Sequence, residues 1–493
     1  MFPYKTSFKI DRNSSQSIYI QISNQFINFI NQGKLPANTK LPGTRSLAEL
    51  LNVHRKTIVS SYEELDLQGW IASIPKKGTF VRADLPLLQR ENNEGISESK
   101  KNTTTGFSFY SNGFENLNLP EKKENETLFL NDGISDGRLT PTIEIGRIYR
   151  KIASKKDIHL HLSYGSTYGN DNLRAVLVAY LNATRGLQIT KDNLLITRGS
   201  QMGIWLSAQL LLKKEDVIVV GETNYPSADV TFLERKATIM RIPVDKEGLC
   251  ISELEKLCKK QVIKALYVTS HHHHPTTVTL SAERRIHLLN LSNIYQFAII
   301  EDDYDYDFNY NHSPILPLAS HDVNGNVIYI GSVCKTVAPV FRIGYLIASK
   351  TFIDEASNHR RYVDRQGDAL LELTFAEFIK SGDLDRHIRK VMKIYKQRRD
   401  LFCSLLAEHL GGYFHFDIPK GGMAVWLILN KQYSWKEVSE IARTQKLAIG
   451  QWERYDFANT KHNGIRIGFA AYNNNEIQEL IYKLTNTMKL FTN

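Results

Sequence analysis

Cysteine is scarce: the 493 residues hold four, Cys250, Cys258, Cys334 and Cys403, with no paired spacing. That scatter excludes a disulfide framework and a Cys-based zinc site, and it fits reduced thiols. Also missing is any run of the roughly 18 to 20 unbroken apolar residues that a membrane span needs. The opening Met1-Phe2-Pro3-Tyr4-Lys5 lacks the apolar core of a signal peptide. No internal repeat is visible. These absences leave a globular chain expected in the cytoplasm without membrane contact, and its length suits two or three domains better than one core.

What is present is unevenly distributed. Residues 1–82 hold eleven Lys and Arg against five Asp and Glu, so most of the formal charge of +10 sits in one sixth of the chain. Such asymmetry points to a polyanionic partner for the N-terminal part. There the apolar period is helical: Ile22, Phe26, Phe29 and Ile30 form one stripe, predicting a helix over 18–32 that stops at Gly33. After Leu41-Pro42-Gly43, Thr44 or Ser46 is expected to cap a short helix carrying Leu47, Leu50 and Leu51. A tight turn at Asn52 leads to a third helix with Ile58, Val59, Tyr62 and Leu65, ended by Gly69. Two short helices about a tight turn is the helix-turn-helix plan. The period then changes, and Trp70–Ile74 and Thr79–Val81 read as strands around Pro75-Lys76-Lys77-Gly78, a basic wing. In such a module the second helix of the pair enters the major groove by its first turn, where Arg55, Lys56 and Thr57 stand. Arg45, Lys76, Lys77 and Gly78 complete the expected contacts to double-stranded DNA. A three-helix interaction module with surface charge is the bland alternative.

Between about 84 and 125 periodicity is lost and Glu, Asn, Lys and Ser dominate, the composition of a linker. Beyond it, apolar runs at Asp216–Val220, Ala265–Thr269, Phe297–Ile300 and Val327–Ile330 alternate with helical segments, predicting an α/β domain with a mostly parallel sheet and ligands at the strand ends.

Three loops at those ends carry chemistry. In IIEDDYDYDF a strand runs into Glu301, Asp302, Asp303, Tyr304, Asp305 and Asp307, a pattern that first suggests a divalent metal. The second loop, YIGSVCKTVAPVFRIGYL, overturns that reading. Its Lys335 can form a Schiff base, Ser332 and Arg342 can hold a phosphate, and an acidic residue is then needed for a protonated pyridine nitrogen. The third, TRGSQMGIWL, opens a helix at Ser200 and Gln201 whose unpaired backbone N–H groups suit a phosphate.

Two resemblances follow from these residues. LPGTRSLAELLNVHRKTIVSSYEEL and QGWIASIPKKGTFV resemble the GntR-type winged-helix regulators over 16–82. The three loops, in their order, resemble fold-type-I pyridoxal-phosphate enzymes of the aminotransferase class I/II group from about Gly165 to the C-terminus. Together they resemble the MocR/GabR regulators: a mainly α winged helix-turn-helix domain (1–83), a linker (84–125), and an α/β aminotransferase fold-type I domain with a smaller C-terminal α+β lobe (126–493). The resemblance implies pyridoxal 5'-phosphate as cofactor, with Lys335 as its covalent partner and Asp302 on the pyridine nitrogen. It further implies Tyr304 on the ring hydroxyl, Tyr225 stacked on the ring, and Ser200, Gln201, Ser332 and Arg342 on the phosphate. Arg466, in GIRIGFAAY, would bind an effector carboxylate, and a head-to-tail homodimer would respond to cofactor, amine or amino acid.

Two positions depart from the group's pattern. Ser270-His271-His272-His273-His274-Pro275-Thr276-Thr277 replaces Pro-x-His-Gln-aromatic-Pro-Thr-Gly, and Ser227 stands where aminobutyrate-responsive members carry a second arginine. Four adjacent histidines invite a metal reading, but neighbours in a loop diverge, so His274 is expected to line the cofactor pocket and no metal is expected. The regulator reading is favoured over an amino-acid:2-oxo-acid aminotransferase with a residual DNA module, because a complete basic winged helix has no use in metabolism. Slow half-transamination remains compatible with the regulator.

Overall fold

In the computed structural model, the described residues are 2–85, 107–108, 128–310, 315–333, 335–450, 452–455 and 462–491. Most of the 84–125 segment and Cys334 lie outside them; Cys250, Cys258 and Cys403 are free thiols. The chain divides into two compact units, 1–110 and 111–493.

The first unit contains α1 (Tyr4–Ser7), α2 (Ile18–Asn31), α3 (Thr44–Leu51), α4 (Arg55–Leu67), β1 (Ile71–Ile74) and β2 (Gly78–Val81). Its core is the expected apolar stripe: Ile22, Phe26 and Ile30 of α2 meet Leu47 and Leu51 of α3 and Ile58, Tyr62 and Leu65 of α4. The turn between α3 and α4 is tight because Asn52 takes the left-handed conformation (φ 50°), which Asn tolerates better than most residues. Neither Thr44 nor Ser46 caps α3. Gly43 occupies the cap position in extended conformation, and Thr44 already lies in the helix, its hydroxyl accepting from Arg55 Nε at 3.4 Å. The side chain that does cap is His54, whose Nδ1 accepts from the Lys56 N–H at 3.2 Å at the start of α4. β1 and β2 pair antiparallel, Ile71 opposite Val81 and Ile74 opposite Gly78.

The second unit is built on seven strands: β3 (Leu194–Thr197), β4 (Val217–Gly221), β5 (Thr238–Ile242), β6 (Ala265–Val268), β7 (Ala298–Asp303), β8 (Val327–Ser332) and β9 (Gly344–Ile347). Their order is β3-β9-β8-β7-β6-β4-β5, and only β9 runs antiparallel to its neighbours. The strands are apolar on both faces, as a covered parallel sheet requires. Ile218, Val220, Tyr267 and Ile300 pack on one side with Ile204 and Phe232; Val219, Leu266 and Ile299 pack on the other with Leu254 and Leu288. Ile204 belongs to α5 (Ser200–Leu211) and Phe232 to α6 (Pro226–Glu234). A long helix, α7 (Asp383–Leu410), leads to a smaller antiparallel sheet of β10 (Phe414–His415), β11 (Ala424–Leu429) and β12 (Gly464–Gly468). Its core includes Phe402, Leu406, Val425, Leu427, Ile465 and Ile467. No helix among the described residues is long and apolar enough to cross a membrane.

Candidate cofactor and DNA sites

Strand parity decides which acid of the Glu301–Asp307 run faces the main cavity. Ile300 shares its face with Tyr267, and successive side chains alternate, so Asp302 continues that face while Glu301 and Asp303 point to the other. The contacts agree. Tyr267 Oη donates to Asp302 Oδ2 at 2.8 Å, whereas Glu301 accepts from Ser270 Oγ and the Leu318 and Ala319 N–H groups. Asp303 accepts from Tyr329 Oη at 2.6 Å and faces His271 at 3.2 Å. Asp305 faces His272 at 2.8 Å, and Asp307 pairs with Arg185 at 2.8 Å. The acids are thus taken up by protein partners, and no group of His, Cys, Asp and Glu able to hold a metal occurs among the described residues.

Asp302, like Asp303 and Asp305, keeps one buried oxygen without a hydrogen-bond partner, but of the three it is the one that lines the cavity, and burial raises its pKa to about 7, against the Tyr267 hydrogen bond and with Asp303 and Asp305 adding to the rise. A buried carboxylate with one orphaned oxygen is suited to a cationic N–H donor from a ligand.

Asp302 belongs to the wall of a cavity of about 190 Å³. Lys335, Asp302, Tyr304, Tyr225, Ser200, His274 and Arg466 all line it, together with Asp132, Tyr267 and Thr269. Lys335 Nζ donates to the Gly133 carbonyl. Tyr225 caps the start of α6, its ring 5.2 Å from that of His274 in edge contact. Burial, reinforced by Arg466 and Lys335, holds the His274 pKa well below its ordinary value, so this ring is neutral at the cavity wall. Tyr304 donates to the His272 carbonyl at 2.9 Å and accepts from Arg466 Nη2 at 3.3 Å. Arg466, buried on β12, also donates to the carbonyls of Asp132 and Pro275, at 2.8 and 3.1 Å.

Three expected phosphate ligands stand apart from the cavity wall. Gln201 turns its amide away, to Thr231 Oγ1 at 2.9 Å, so only its backbone is placed at the start of α5. Ser332 Oγ donates to the Ile343 carbonyl at 3.2 Å. Arg342 lies over the first turn of α5: a Cβ built on Gly199, the cap residue with φ 81°, would sit 2.8 Å from Arg342 Nη2. The first N–H groups of a helix have no intrahelical acceptor, and the Arg342 guanidinium lies beside the residue that opens this one and donates to the Arg198 carbonyl, a setting that suits an anionic group. Tyr267, Thr269 and Asp132 were not expected from sequence. For Tyr267 a signal existed, since a lone tyrosine hydroxyl in an apolar strand needs a buried acceptor.

In the first unit, Arg45, Arg55 and Lys56 are exposed around the start of α4, with Thr57 half-buried behind them. Lys76, Lys77 and Gly78 are exposed at the tip of the β1–β2 hairpin, where Lys76 has φ 63°. Arg12, missed from sequence, donates to the Asn52 carbonyl at 2.7 Å and so adds a cation at the helix-turn-helix bend.

Comparison with known proteins agrees with this division. Residues 18–81 match the bacterial regulatory proteins of the gntR family, and residues 141–484 match aminotransferase class I and II. The chain is 28% identical to the uncharacterized HTH-type transcriptional regulator YdfD of Bacillus subtilis, over 93% of this chain and 95% of that one. It is 24% identical to the probable rhizopine catabolism regulatory protein MocR of Rhizobium meliloti, over 96% and 94%. The crystal structure of Pyrococcus horikoshii kynurenine aminotransferase superposes with a TM-score of 0.69 at 28% identity, covering 74% of this chain and 91% of that one.

Proposed function

Because the chain belongs to the aminotransferase class I and II family and carries a gntR-family module ahead of that domain, we propose that it is a pyridoxal-phosphate-dependent transcription regulator. The observation that carries this reading is the presence in one chain of a complete basic winged helix and a cavity in which Lys335 and Asp302 share a wall.

When bound, pyridoxal phosphate supplies an electrophilic carbonyl and an electron-withdrawing ring. Asp302, oriented by Tyr267, would pair with the ring nitrogen. Tyr225 and His274 would flank the ring, and the start of α5 with Arg342 beside it would hold the phosphate, with Ser332 reaching it only on giving up its bond to the Ile343 carbonyl. Lys335 would supply the amine that joins the cofactor. In the first unit, α4 enters the major groove with Arg55, Lys56 and Thr57 in front, Arg45 beside them, and the Lys76-Lys77-Gly78 wing tip lies on the backbone.

We place the tether at 84–125. Most of that segment lies outside the described residues; we infer a head-to-tail homodimer from the resemblance to the MocR/GabR regulators. The protein is then a cytoplasmic operator-binding dimer whose affinity follows cofactor and amine.

The test is a DNA-binding titration on the chain's own upstream region, with and without pyridoxal phosphate, following cofactor absorbance in wild type and Lys335→Ala. Specific binding that responds to cofactor in wild type and not in the variant is expected. Rapid turnover of amino acids without specific DNA binding would instead make the chain an aminotransferase with a residual module.

A further inference from the structure

Most of the chain's net positive charge lies in residues 1–82, yet one stretch of the second unit is just as one-sided. Residues 386–397 of α7 read RHIRKVMKIYKQ, five Lys and Arg with no Asp or Glu. Helix geometry sorts them. His387, Ile388, Val391 and Tyr395 are buried, while Arg386, Arg389, Lys390, Lys393 and Lys396 are all exposed. At 3.6 residues per turn and 1.5 Å per residue, the five cations fall within about a third of the helix circumference, a stripe roughly 15 Å long. At its start lies a groove of about 460 Å³, lined by Arg138, Arg386 and Lys390 together with the acids Glu144 and Asp383. The far side of that groove is the helix Thr142–Ala153, on which Arg147 and Arg150 are exposed.

The fold accounts for the inward cations of α7 and not for the outward ones. Arg398 is buried against Asp136 at 2.9 Å, and Arg399 donates to Asp400 and to the Pro419 carbonyl. In the stripe, Arg386 pairs with Asp383 one turn back, whereas Arg389, Lys390, Lys393 and Lys396 make no ion pair among the described residues. Like charges three and four residues apart, such as Arg386 with Lys390 and Arg389 with Lys393, repel and weaken a helix. A stripe that costs helix stability and meets no internal acid is matched by an external polyanion. Duplex DNA fits it best. Over about 15 Å one strand presents roughly four phosphates, one per 3.4 Å. The stripe lacks the apolar residues that form the centre of a protein interface, and the apolar side of α7 is packed in the core, where no membrane can reach it. A gntR-family module in the same chain supplies the DNA.

We propose that the α7 stripe is a second DNA contact, which holds the phosphate backbone of the duplex flanking the operator and reads no sequence there. This rests on the reading of the chain as an operator-binding regulator.

The experiment compares the full-length protein, loaded with pyridoxal phosphate, with its Lys390→Gln/Lys393→Gln/Lys396→Gln variant on two duplexes from the chain's own upstream region. One is the shortest segment that wild type still binds specifically; the other adds flanks about 100 Å long on each side, roughly thirty base pairs at 3.4 Å each. Fluorescence anisotropy across a salt series reads affinity and salt slope. Wild type is expected to bind the long duplex about tenfold or more tightly than the short one at about 50 mM salt, and with a steeper slope. The variant should lose most of that difference. Its slope on the long duplex should be lower by about two to three, at about 0.9 per phosphate contact removed. Its affinity for the short duplex and its cofactor absorbance should match wild type. Equal wild-type affinity for the two duplexes overturns the proposal, and so does a variant whose slope on the long duplex is unchanged, the result if the stripe serves an acidic protein instead. If wild type binds no upstream segment specifically, the operator reading itself has failed and the proposal falls with it, an outcome distinct from both.

Discussion

Replacing Asp302 by Asn exchanges a buried carboxyl for a neutral amide of the same shape, and its effect on the cofactor-free protein depends on pH in a way that no packing change would. Asp302 titrates near 7 in the folded protein against an ordinary value of 3.8, because burial disfavours its charge. Between those two values the folded chain holds a proton that the unfolded chain has released. This group's contribution is therefore greatest below about pH 4, falls as pH rises, and has been lost once pH passes 7. A separation of about three pH units at about 1.4 kcal/mol each amounts to roughly 4 kcal/mol of destabilisation at pH 8 and about 1.5 to 2 at pH 5. Asn does not titrate, so the advantage of Asp302→Asn over wild type should widen by about 2 to 3 kcal/mol between pH 5 and pH 8. The assay is thermal unfolding of cofactor-stripped wild type and variant at both pH values; titrations common to the two proteins cancel in the difference. With cofactor present the order should invert, since only the carboxylate pairs with the ring nitrogen. The reasoning fails if the variant's advantage is the same at both pH values, or if it is the less stable protein at pH 8 without cofactor.

Other substitutions probe separate parts. Gly199→Ala places a methyl 2.8 Å from Arg342 at a backbone φ of 81°, so cofactor affinity, measured by absorbance titration, should fall at least about tenfold, with about 1 kcal/mol of added backbone strain. Arg55→Ala should cost about 1–3 kcal/mol on specific DNA and little on random DNA, whereas Lys56→Ala should weaken both and lower the salt slope by about 1, as fluorescence anisotropy across a salt series would show. His272→Ala leaves Asp305 buried without its imidazole partner and should destabilise by about 3 kcal/mol. His273→Leu removes two buried nitrogens that have no partner, on a ring whose pKa burial lowers to about 3, and should change stability by less than about 1 kcal/mol in the same melts.

Local signals were legible wherever a period or a punctuating residue set the structure. The α2 stripe, the Asn52 turn, the wing and the strands around Ile300 and Ile330 were all visible in the order of apolar residues, though β7 runs three residues past Ile300, to Asp303. So was most of the cavity wall, because each strand end carried its own residue type: Lys335, Asp302, Ser200 and Tyr225. Positions whose role depends on a distant segment were not. Asp132 reaches the cavity through contacts with Arg466, more than three hundred residues on, and nothing in NDGISDG announces that. Thr44 and Ser46 are good cap residues by type, yet the extended backbone at Gly43 starts α3 one residue before a Thr44 cap would. Gln201 was assigned a phosphate contact by its place at a helix start, yet its amide is satisfied by Thr231 on the neighbouring helix.

The two features that first suggested metal binding, an acidic run and four consecutive histidines, account for each other once brought together. The run after β7 buries its acids side by side, and like charges at that spacing oppose one another unless each is neutralised. His271 answers Asp303 and His272 answers Asp305, while burial, over the attraction of His271 and Arg285, pushes Glu301 toward its neutral form. Loop residues diverge in direction, and so His273 is left in the apolar interior and His274 on the cavity wall. Asp302 receives no imidazole, and its one donor is an uncharged hydroxyl. The histidines therefore bear on the site by what they leave over: they face Asp303 and Asp305, and Asp302 is left on the cavity wall with the Tyr267 hydroxyl as its donor.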